Sequence, residues 1–94
     1  MSFLKKWRVT PEQEDQRHAA WAMRRYDSLC LEAEVEYDAA VVAGNEEMAR
    51  AYQRLFLKVW DRAMDHHEET GTPLTPYLYA KLVQLLAEEH EGQA

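Results

Sequence analysis

The chain is short of everything that bends or staples a backbone. Three glycines, three prolines and one cysteine are spread over 94 residues. So few turn formers leave little room for hairpins or long loops, which argues against a many-stranded fold. A single cysteine, Cys30, excludes an internal disulfide and fits a reducing, cytoplasmic setting. Only two serines occur, Ser2 and Ser28, and neither sits in the glycine-flanked elbow of a nucleophilic hydrolase. There is no glycine-rich phosphate loop. No stretch approaches the roughly 20 apolar residues of a membrane span. The opening SFLKKWRVT has no apolar run long enough for a secretory signal.

What is present reads as one globular domain, residues 1–94. Apolar residues make up 47% and charged residues 30%, a balance of folded rather than disordered chains. A chain this short buries only a modest share of its surface, so a second subunit is a common source of added stability. The net charge is −6 and unevenly spread. Residues 1–10 form a basic lead-in carrying Lys5, Lys6 and Arg8, with Phe3, Leu4 and Trp7 available to pack on the body. Residues 11–43 hold eight acids against three bases. Such a body repels phosphates, so direct nucleic acid binding is not expected.

Punctuation predicts three helices, at about 11–43, 45–70 and 75–90. Thr10 can cap the first, Pro11 suits its first position, and Gln13 can complete a capping box. Nothing then interrupts the chain until Gly44, which suits a left-handed position after a helix, and Asn45 can cap the second helix at once. Gly71 ends that helix. Thr75 caps a third, with Pro76 at its first position. The expected fold is all-α: a long antiparallel helical hairpin plus a shorter third helix, a three-helix bundle.

The first helix carries two apolar stripes. Ala19, Met23, Tyr26, Cys30, Ala33, Tyr37 and Ala40 alternate spacings of four and three, as a packed seam requires. Leu31, Val35 and Val42 fall on the opposite side at 100° per residue, with Trp21 and Ala39 near them. Acids, among them Glu32, Glu34, Glu36 and Asp38, separate the two. A helix with two apolar faces must be covered twice. The second helix offers Met48, Tyr52, Leu55, Val59, Ala63 and His66, widened by Phe56, Trp60 and Met64. The third offers Leu78, Leu82, Leu85 and Leu86, beside Tyr79 and Val83. It is too short to cover the first helix, so apolar surface is expected to remain for another chain.

Chemistry-bearing clusters are few. DHHEET, residues 65–70, sets His66 and His67 about 100° apart, so one regular helix does not aim both at one ion. Helical metal sites use spacings of three or four. His66, His67 and Glu69 are the nearest metal candidates and match no recognised pattern. Cys30 occupies a seam position, where a buried thiol is inert packing. Neither a catalytic role nor a cofactor is expected.

The residues therefore point to a non-catalytic protein–protein interaction module: an adaptor, assembly or regulatory subunit, expected to be a homodimer. Trp21, Leu31, Val35 and Val42 are the expected partner-binding residues, with Glu32 and Glu36 at the rim. One alternative is a small acidic inhibitor that mimics nucleic acid and blocks a basic groove through Glu32, Glu34, Glu36 and Asp38. Another is a metal-binding helical protein.

Overall fold

A computed structural model describes residues 11–92. Three helices account for nearly all of them: α1 (Pro11–Val42), α2 (Glu46–Thr70) and α3 (Pro76–Gly92). The described residues contain no strand. The basic lead-in, the Thr10 cap and the packing of Phe3, Leu4 and Trp7 lie outside the described residues.

The turns follow from local chemistry. Gly44 has φ +72°, a conformation that costs a side-chain-bearing residue energy and glycine little. The Asn45 side chain then accepts from the Met48 amide at 3.1 Å, satisfying one of the orphan donors at the start of α2. Asn45 also donates its own amide to the Ala40 carbonyl, which closes the end of α1. Gly71, at φ +71°, sends its amide back to the His67 carbonyl and ends α2. Thr75 Oγ1 accepts from the Leu78 amide at 3.2 Å and caps α3.

α1 and α2 pack as an antiparallel hairpin. Small residues line much of the contact: Ala33 and Ala40 on α1 and Ala49 and Ala63 on α2 are buried. They let the two backbones approach, while Met23, Cys30, Val59 and Trp60 fill the remaining space. The ring of Phe56 stacks on Trp60 with centroids 6.0 Å apart. Among the seam residues read for α1, Met23, Cys30, Ala33 and Ala40 are buried, and Ala19, Tyr26 and Tyr37 are half-buried.

α3 closes one side of the hairpin. Leu78 is fully buried, and Tyr77, Leu82 and Leu85 pack against the same core. A polar latch adds direction. Glu34 of α1 accepts from both the Tyr77 hydroxyl and Lys81 Nζ, each at 2.6 Å. The Lys81 ammonium also lies 5.8 Å from the centre of the Phe56 ring, so one cation bridges α3 to both other helices.

Three residues read as core lie elsewhere. Met48, Leu55 and Leu86 are exposed. The core of α2 is turned toward Ala49, Phe56 and Trp60, whose wide rings sit beside α3, and this leaves Met48 and Leu55 on the flank. Leu86 lies about 80° around α3 from the buried Leu78.

The product is thin and long, 63 × 32 × 17 Å. The chain exposes 7687 Å². A compact monomer of 11.0 kDa would expose roughly 5,600 Å².

Candidate functional site

α1 is 32 residues long and α3 only 17. At 1.5 Å per residue that is about 48 Å against about 26 Å. α2 covers one face of α1 and α3 covers the flank around Glu34. Among the described residues, no other element covers the remaining face. Trp21 is 60% exposed, Leu31 45%, Val35 56% and Val42 89%. All four project from the side of α1 opposite its buried seam. Ser28 and Ala39 lie among them and are exposed. Glu32 and Glu36 border the face and are exposed as well.

Glu34 does not belong to that acidic border. Burial raises the cost of its charge, but hydrogen bonds from Lys81 and Tyr77 outweigh burial and hold its carboxyl below the ordinary glutamate range. Burial and the same carboxylate push the Tyr77 phenol in the opposite direction, upward. The two shifts describe one interaction, a charged acceptor and a neutral donor.

The two histidines of DHHEET serve as fasteners. His66 Nε2 donates to the Ala19 carbonyl of α1 at 2.8 Å, and its ring meets Tyr26 edge-on at 5.7 Å. His67 Nδ1 donates to the Thr72 carbonyl at 2.6 Å and draws in the loop after α2. Thr70 and Thr72 add a hydroxyl pair at 2.6 Å within the same loop. Glu69 is exposed on the outer side of α2. Among the described residues, no three metal-ligating side chains converge. Cys30 is fully buried, and burial, aided by the nearby charges of Asp27 and Glu34, pushes its thiol up to about 11.

In the sequence Tyr79, Val83 and Leu86 group with the packing side of α3, and the structure places them on a separate stripe. Tyr79, Val83 and Leu86 are exposed along α3. Their spacing of four and then three marks a stripe separate from Leu78, Leu82 and Leu85, and that spacing was the available signal. No described helix is long and apolar enough to cross a membrane. Comparison with protein families, characterised proteins and solved structures finds no match to this chain.

Proposed function

We propose that the chain is a non-catalytic helical interaction module, an adaptor, assembly or regulatory subunit, and that it works as a homodimer. The observation that carries this reading is the bare outer face of α1, with Trp21, Leu31, Val35 and Val42 all uncovered. A monomer gains nothing from holding that many large apolar groups along one exposed line, and such patches mark association surfaces. Trp21 is the natural anchor, since aromatic residues dominate interface energetics.

Two features favour this reading over its rivals. Glu34 is engaged by Lys81 and Tyr77, which thins the acidic row that a nucleic acid mimic would present. His66 turns to α1, His67 turns to the loop after α2 and Glu69 faces outward, so among the described residues the three metal candidates are not gathered around one point. A buried thiol with its proton held firmly suits a non-catalytic role, and a single cysteine suits a reducing, cytoplasmic setting.

Light scattering behind size exclusion tests the reading. The wild type should elute with a mass of about 22 kDa, twice the 11.0 kDa chain. Val35→Glu should fall to the monomer mass with its helicity unchanged, because Val35 takes no part in the core. A dimer untouched by Val35→Glu would place the interface elsewhere and sink the proposal.

A further inference from the structure

Charge changes sign along the bare face. Arg17, Arg24 and Arg25 precede Ser28, while Glu32, Glu36 and Asp38 follow it, and all six are exposed. Among the described residues the only ion pair is Lys81 with Glu34, and it involves none of the six. From Trp21 to Val42 the outward apolar and small positions are Trp21, Ser28, Leu31, Val35, Ala39 and Val42. They are spaced seven, three, four, four and three, close to the period by which two helices share a seam, with an arginine filling the one missing step. A face that is basic at one end, acidic at the other and apolar along its line is complementary to itself in one orientation only. A parallel copy would set arginine against arginine and acid against acid. An antiparallel copy sets each end against its opposite.

We propose that a second copy of this chain docks on this face, α1 against α1 and antiparallel, about a two-fold axis passing close to Ser28. The inference rests on the interaction reading above and adds the orientation and register of the pair. Trp21 and Val35 each lie seven residues from Ser28, so Trp21 of one copy meets Val35 of the other. Arg25 and Glu32 lie on the same rim of the helix, three and four residues from Ser28, and meet across the axis. Arg17 and Asp38, eleven and ten residues out, meet near the ends of the seam. Ser28 is small enough to let the helices approach where they cross. The apolar line supplies the adhesion, and the rim charges select orientation, as they do where like-charge contacts exclude a wrong pairing. The two copies carry −6 each, yet along this face the three cations offset these three anions, and Glu14, beyond Arg17, adds one further acid per copy at the end of the seam.

The test is the dimer dissociation constant of the full chain, measured by sedimentation equilibrium at low salt, with helicity checked by circular dichroism. Reversing Arg17 and Arg25 to Glu, or Glu32 and Asp38 to Arg, should each raise it about tenfold or more. Combining all four reversals in one chain should restore it to within about threefold of the wild type, because the antiparallel complement is rebuilt with its signs exchanged. A combined variant that fails to recover overturns the pairing. A dimer that Val35→Glu dissociates but no charge reversal weakens also overturns it, while leaving the interaction reading intact. A wild type that remains monomeric overturns self-pairing and assigns the face to a different protein. A dimer indifferent to Val35→Glu and to the reversals overturns both.

Discussion

The Tyr77 hydroxyl of α3 donates a 2.6 Å hydrogen bond to the same Glu34 oxygen that Lys81 contacts. This carboxylate on α1 adds a directional contact to the burial of Leu78 in holding α3. Leucines alone would let a short amphipathic helix roll on the hairpin.

Tyr77→Phe removes the donor and keeps the ring. It should cost about 1.5–3 kcal/mol, the range of a hydrogen bond to a charged group, and fall toward the low end because Glu34 is only half-buried. The latch is also sensitive to acid. Glu34 is held below its ordinary range in the folded chain, so its contribution is present above the unfolded value and is lost as pH falls through the depressed folded value. Urea midpoints of the wild type and Glu34→Gln should therefore differ at pH 7 and draw together as pH falls through the acid range. A gap that stays constant as the pH is lowered step by step would assign the stabilisation to packing and not to the charge.

His66→Ala deletes the bond to the Ala19 carbonyl and the edge contact with Tyr26. A loss of about 1–2 kcal/mol is expected from the two together. The wild-type melting temperature should not respond to a chelator. A fall of several degrees on adding one would return His66, His67 and Glu69 to consideration as ligands.

Cys30 should be silent. A thiol raised to about 11 and fully buried offers almost no thiolate at pH 8. Alkylation of the native chain should proceed only as fast as the chain opens, and should accelerate with urea in step with unfolding. Alkylation at the rate of a free peptide thiol would contradict the burial.

Legibility in the sequence followed the range of the interaction. Asn45, Gly71 and Thr75 stand where their local chemistry predicts, because a cap is decided within three or four residues. The seam of α1 was equally plain, since period alone defines it. The core side of α2 was not. Met48 and Leu55 fit the period, but the position of α3 and the size of Phe56 and Trp60 decide which flank is covered. Glu34 looked like its acidic neighbours because its partners, Tyr77 and Lys81, lie more than forty residues away. The DHHEET spacing argued against a shared ion, yet nothing in it names a helix carbonyl of α1 as the acceptor for His66. The uncovered face of α1 was readable from length alone, as a short third helix cannot span a long first one.

Leu78 and Leu86 belong to one helix and one residue type, and they should part company under substitution. Leu78 is fully buried within the cluster of Met23, Cys30, Val59, Trp60 and Ala63. Leu78→Ala should cost about 2–5 kcal/mol, the range for a buried leucine that leaves a cavity. Leu86 is more than half exposed, and Leu86→Ala should fall within about 0.5 kcal/mol of the wild type. Chemical denaturation of both variants, carried out on the Val35→Glu background so that association does not enter, reads the difference directly. Equal losses would mean that α3 is rotated on the hairpin, with Leu86 in the core. The stripe of Tyr79, Val83 and Leu86 would then cease to be a free surface.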